Sequence, residues 1–184
     1  MSSVVASPAP SATPAGVRSR TYQYEVAGFD AAAALSMTGL EYMRALVGGE
    51  IGAKPPIADT LGMSIPFDLE YGKASFEGEP EDFLMNPIGV IHGGFAATLL
   101  DSAMAIAVHT ALPKATVYTT AELKINFIRA ILPTSGRVRA EGTLIHAGRQ
   151  LATAEGRLVG VEDGKLYAHG TTTCLILPIP PKKA

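Results

Sequence analysis

The chain has 184 residues, 47% of them hydrophobic and 17% charged, enough for one domain whose core needs no metal or disulfide to hold it. Lys and Arg number 15 against 17 Asp and Glu, a formal charge of −2, so no basic excess exists to neutralise a nucleic-acid backbone. The lone cysteine, Cys174, has no CxxC or Cys/His neighbours, which argues against both an internal disulfide and a zinc site.

Residues 1–16 are nearly all Ser, Ala, Pro, Thr and Gly, and are expected to form a disordered tail rather than a secretory signal. An N-terminal extension, 17–56, carries Thr38-Gly39-Leu40-Glu41, a capping-box pattern that predicts a short helix over 38–47 with Gly48 as its stop. From Ile57 the pattern changes. Leu61, Met63, Ile65, Phe67 and Leu69 recur at period two and predict a strand over 59–71, with Pro66 arguing for an edge or a bulge. Gly72-Lys73 reads as a turn into a second strand, 73–78, and 79–83 as loop.

Residues 92–112 are rich in Ala and Leu, contain no proline and predict one long helix, apolar around most of its circumference and therefore buried. Its apolar stretch carries Asp101 and His109 and is not a membrane span. Four strands follow: 116–128, 136–146, 149–162 and 165–177, with turns at Ala147-Gly148 and Asp163-Gly164. In the first, Val117, Thr119, Ala121, Leu123, Ile125 and Phe127 share one face, and Tyr118 and Thr120 the other. Residues 178–184 form a Pro- and Lys-rich tail. Short turns imply antiparallel neighbours, and one curved sheet around one apolar helix is the economical α+β arrangement.

Chemistry concentrates in 86–101. Asn86-Pro87 favours a turn. Gly93 and Gly94 leave the first N–H groups of the long helix uncovered, which suits either a developing oxyanion or merely a turn. Asp101, mid-helix, is a candidate general base; it also lies at the edge of a polar stripe of Thr98, Ser102 and His109 that could face water. His92 either polarises a carbonyl or caps the helix. His109, His146 and His169 lack partners at ligand spacing and read as structural, and Cys174 as a core residue. His92 and Asp101 are nine residues apart, a net half-turn and ~13.5 Å along the axis. They cannot serve one atom from the same helix, so either one is idle or two copies share a site.

The run Asn86…Gly89-x-x-His92-Gly93-Gly94…Asp101, with TTAELKINFIRAI at 119–131 and the Gly148-Arg149 hairpin, resembles the hotdog-fold acyl-CoA thioesterases, PaaI-type, over 57–177. The resemblance implies a hotdog fold with an added N-terminal helix, and a homodimer or dimer of dimers with its active site between subunits. Asp101 would activate water or attack the thioester, and the Gly93 amide would hold the oxyanion. Asn86 and His92 would support it, and Thr120 would position the water, with Thr119 the alternative unless a bulge shifts the phase. Gly94 would contact the substrate, and Arg129, Arg149 or Arg157 would supply cations for the phosphates of its coenzyme A. No metal or separate cofactor, no nucleic acid and no membrane are expected, and a cytoplasmic location is the default. The other readings are an acyl-CoA hydratase or dehydratase on the same fold and a non-catalytic acyl-CoA binder.

Overall fold

The computed structural model describes residues 16–26 and 28–179. Of the expected tails, 1–16 and 178–184, residues 1–15 and 180–184 lie outside them, while Pro178 ends the last strand and the Ile179 N–H donates to the Ala115 carbonyl at 2.9 Å, so the tail begins later than expected. Three short helices come first: α1 (Ala31–Ser36), α2 (Gly39–Val47) and α3 (Pro56–Leu61). Strands β1 (Phe67–Glu70) and β2 (Lys73–Gly78) form a hairpin, and the long helix α4 (Gly93–Thr110) follows. Strands β3 (Thr116–Phe127), β4 (Val138–Ala147), β5 (Leu151–Gly160) and β6 (Leu166–Pro178) complete the chain. All join one antiparallel sheet in the order β1-β2-β4-β5-β6-β3. This is the expected hotdog: a sheet curled around one helix.

Helix α4 buries Leu99, Leu100, Ala103, Met104, Ala107 and Val108 completely against the sheet. Close approach has a specific cause. Gly142, Gly156 and Gly170 are register partners in one row across β4, β5 and β6. A Cβ on Gly142 would fall 2.2 Å from the Ala103 carbonyl oxygen, and one on Gly156 would press 2.8 Å from Met104 Cγ. The sheet therefore touches the helix backbone where side chains are missing.

The capping box forms as read: Thr38 Oγ1 accepts from the Glu41 N–H, and the Glu41 carboxylate accepts from the Thr38 N–H at 2.7 Å. Helix α2 then lies against the end of α4. The Gly39 N–H donates to the Leu112 carbonyl at 3.0 Å, and a Cβ on Gly39 would overlap the His109 carbonyl. Arg44 donates to the Leu69 carbonyl at 3.2 Å and ties α2 to β1.

Three further expectations are corrected. The period-two pattern at 59–71 is not one strand: its first part is helix α3, begun by Pro56, and strand geometry starts only at Phe67. The stripe of Thr98, Ser102 and His109 is not an open solvent face: all three are half-buried, and Ser102 and His109 line a cavity beneath the N-terminal extension. The unbroken alternation along β3 fails at a bulge between Thr120 and Glu122. Before it Tyr118 packs on the core and Thr120 turns toward α4; after it Ile125 packs on the core. The extra residue, Ala121, switches the face. The Thr172 hydroxyl, buried, donates to the Glu122 carbonyl at 2.8 Å beside this interruption.

Candidate active site

The loop before α4 is organised by Asn86. Its Oδ1 accepts from the N–H groups of Ile88 (3.1 Å) and Val90 (3.3 Å), while its own N–H donates to the Val90 carbonyl at 2.8 Å. Gly89 sits at φ 79°, a turn conformation that glycine adopts without strain. His92 is the N-cap: Nδ1 accepts from the Gly94 N–H at 2.9 Å, and the His92 carbonyl accepts from the Phe95 N–H at 3.0 Å. The Gly94 donor is thereby occupied. The Gly93 N–H has no partner among the described residues, and it is the donor left free at the positive end of the helix. With Nδ1 accepting, a neutral His92 carries its proton on Nε2.

Asp101 lies two turns further on. Its Oδ1 accepts from the Thr120 hydroxyl at 3.1 Å, and no other side chain bonds it among the described residues. Thr120, not the exposed Thr119, is thus the partner, because of the bulge. Behind Thr120 its register partner Cys174 is fully buried. Burial pushes that thiol's pKa up, and the Asp101 charge adds to the effect, so it stays protonated. Burial likewise raises the Tyr118 hydroxyl far above its ordinary value.

The two groups open onto different cavities. His92 and Gly93 line one of about 330 Å³, with Phe127, Arg129 and Tyr167 in its wall. Asp101 and Thr120 line another of about 340 Å³, walled by α4 on one side and by the N-terminal extension on the other. Arg129 therefore sits beside the helix start. Arg149 is exposed in the β4–β5 turn, at the other end of the sheet, on the order of 30 Å away by strand register. Among the described residues no three His, Cys, Asp or Glu side chains gather as a metal site requires, and no helix is long and apolar enough to cross a membrane.

A model of the thioesterase superfamily matches residues 88–167, which include the helix start, Asp101 and Thr120. A Pseudomonas aeruginosa protein named as a provisional esterase is 30% identical over 128 residues, 68% of this chain and 85% of its own length. The chain belongs to the thioesterase superfamily. A Halobacterium salinarum protein, also named as a provisional esterase, is 38% identical over 69 residues, but the chain spans only 44% of its length. Among solved structures, a phenylacetic acid degradation-related protein of Ralstonia eutropha is 31% identical, with TM-score 0.64 over 73% of this chain and 98% of that one. A point mutant of the phenylacetic acid degradation protein PaaI of Thermus thermophilus is 29% identical, with TM-score 0.59 over 66% and 98%.

Within this thioesterase-superfamily chain, the groups that sequence reasoning missed lie under the extension. Tyr42 of α2 stacks on His109 at 5.6 Å between ring centres, and His109 meets Tyr118 edge-on at 5.4 Å. Desolvation lowers the His109 pKa to about 4. The available signal was the apolar face of α2 itself, Tyr42, Met43 and Leu46, which required something to cover.

Proposed function

We propose that the protein is an acyl-CoA thioesterase whose site is completed by a second copy of the chain. The observation that carries the reading is the Asp101–Thr120 pair on the wall of a largely apolar cavity, on the same helix whose free Gly93 N–H opens elsewhere. Gly93 and Asp101 are eight residues apart, ~12 Å along the axis and a net ~80° around it, and His92 and Asp101 point to opposite sides, so the two halves need two chains to meet.

A second observation supports the pairing. Strand β3 is a long sheet edge, paired among the described strands with β6 alone, and Leu123, Phe127 and, just past its end, Ile128 are exposed. A bare apolar edge of this length is a template for strand pairing. Pairing β3 with its copy antiparallel brings opposite ends of the two sheets together, so Arg149 of one copy approaches the end where Arg129 of the other lies. Both then serve the phosphates of coenzyme A.

In the proposed reaction Asp101 takes a proton from water oriented with Thr120. The resulting hydroxide adds to the thioester carbonyl carbon. Negative charge passes to the carbonyl oxygen, which the partner copy's Gly93 N–H receives, with His92 Nε2–H beside it and Asn86 holding the loop. The intermediate collapses, the C–S bond breaks, and the proton goes to the leaving sulfur. Direct attack by the Asp101 carboxylate, giving an anhydride that water opens, uses the same groups. No cofactor enters apart from the coenzyme A of the substrate.

Thiol release from a panel of acyl-CoAs tests this. Asp101→Asn is expected to lower kcat by ~10²–10⁴-fold with little change in KM; unchanged turnover removes Asp101 from the mechanism. Sedimentation is expected to show a dimer or a larger assembly, and an active monomer excludes the shared site. Release of thiol from no thioester favours the binder, and water addition to an enoyl-CoA favours the hydratase.

A further inference from the structure

The cavity holding Asp101 has a direction. From Asp101 to His109 is eight residues along α4, ~12 Å. One end is the carboxylate and the Thr120 hydroxyl. At the other lies the His109 ring, stacked face-on with Tyr42 and edge-on with Tyr118. Between the ends the walls are mostly hydrocarbon and thioether: Met43, Leu46, Met63, Ala105 and Ile106. The lysine at this cavity, Lys54, is held by Asp59 at 2.7 Å. Most of the roof comes from α2, α3 and the segment before β1, all outside the matched family region.

We propose that this roofed cavity is the acyl pocket, that it selects straight, medium-length acyl chains, and that Tyr42 against His109 is the stop that sets their length. The proposal rests on the thioesterase reading and specifies its substrate. A flat aromatic acyl group at Asp101 fills only the near part of a space of about 340 Å³ and leaves the far part void. A flexible chain reaches the stop, and unbranched Met43 and Met63 adapt to its methylenes. An uncharged imidazole is compatible with an apolar chain end, and burial keeps His109 uncharged at neutral pH.

The test measures kcat/KM for acetyl-, butanoyl-, hexanoyl-, octanoyl-, decanoyl-, palmitoyl- and phenylacetyl-CoA. Each methylene added before the stop is expected to raise kcat/KM about fourfold, after which the value falls. Ala105→Leu, placed between Asp101 and His109, is expected to move the optimum to shorter chains. Tyr42→Ala is expected to move it to longer ones, with Tyr42→Leu as the substitute if thermal unfolding shows that the first does not fold. An optimum that stays in place in both folded variants overturns the proposal, as does phenylacetyl-CoA turned over ten times better than every straight chain. If no thioester is hydrolysed, the catalytic reading fails separately. The pocket is then judged by calorimetry on the wild-type protein: octanoyl-CoA should bind at least tenfold more tightly than coenzyme A, and equal affinities reject it.

Discussion

The two ends of α4 each carry a histidine, and the contrast between them explains the layout of the molecule. His92, at the first turn, is exposed and spends Nδ1 on the Gly94 N–H. His109, in the last turn, is enclosed between Tyr42 and Tyr118. The negative end of a helix favours a protonated histidine by ~0.3–1 kcal/mol. Burial outweighs that preference and takes His109 down to about 4. The difference follows from the N-terminal extension, which covers the far part of the helix and leaves its start open. One end offers backbone donors to the outside, and the middle offers a carboxylate under a roof.

The sharpest way to break this contrast is to disable each half in a separate chain. Gly93→Pro deletes the N–H without disturbing the backbone: proline suits the first helical position, His92 already has the extended ψ of 136° that a following proline requires, and the added Cβ crowds the Phe127 ring just as an alanine there would. A loss of ~10²–10³-fold in kcat is expected. Gly93→Ala keeps the donor and only crowds the Phe127 ring, so it should lose far less. After subunit exchange, Gly93→Pro and Asp101→Asn chains should together regain about a quarter of wild-type activity, since half the dimers carry one intact site. No recovery in proven mixed dimers would place both groups in one chain's site.

A smaller effect concerns the covered end. Above pH 6.5 His109 is neutral in both the folded and the unfolded chain. As pH falls from 6.5 toward 4 the unfolded chain takes up a proton that the folded one refuses, so stability falls, by up to ~3 kcal/mol. Denaturant unfolding across this window should show a shallower decline for His109→Phe than for wild type. Equal slopes would assign the acid sensitivity to other groups.

Much of the fold was legible because its signals are local. The Thr38–Glu41 box, the Ala/Leu run of α4 and the turn glycines Gly72 and Gly164, at φ 73° and 64°, announce themselves within a few residues. Helix α3 was not legible, because Leu61 ends a helix yet stands two residues before Met63 and imitates a strand. Asn86, His92, Gly93 and Asp101 could be singled out from motif and residue type. That His92 and Asp101 point to opposite sides followed from helix geometry alone. The phase of β3 and the roof did not. The first depends on one residue omitted from pairing, the second on α2 meeting α4 through Gly39, a contact between distant parts of the chain.

The interruption at Ala121 makes the orientation of an entire strand segment hang on a count of residues. Removing Ala121 alone leaves an uninterrupted pleat with Tyr118, Thr120 and Ile125 still on one face, whereas removing Ala121 and Glu122 together, with Ile125 still anchored, rotates Tyr118 and Thr120 outward while Val117 and Thr119 swing in. The carboxylate then loses its hydroxyl neighbour, although no residue that touches it has been exchanged. Spectrophotometric titration reads the event directly, since Tyr118, now ionising far above the ordinary phenol range, should join the readily titrated tyrosines; an unchanged count would mean that the strand had kept its facing by another route.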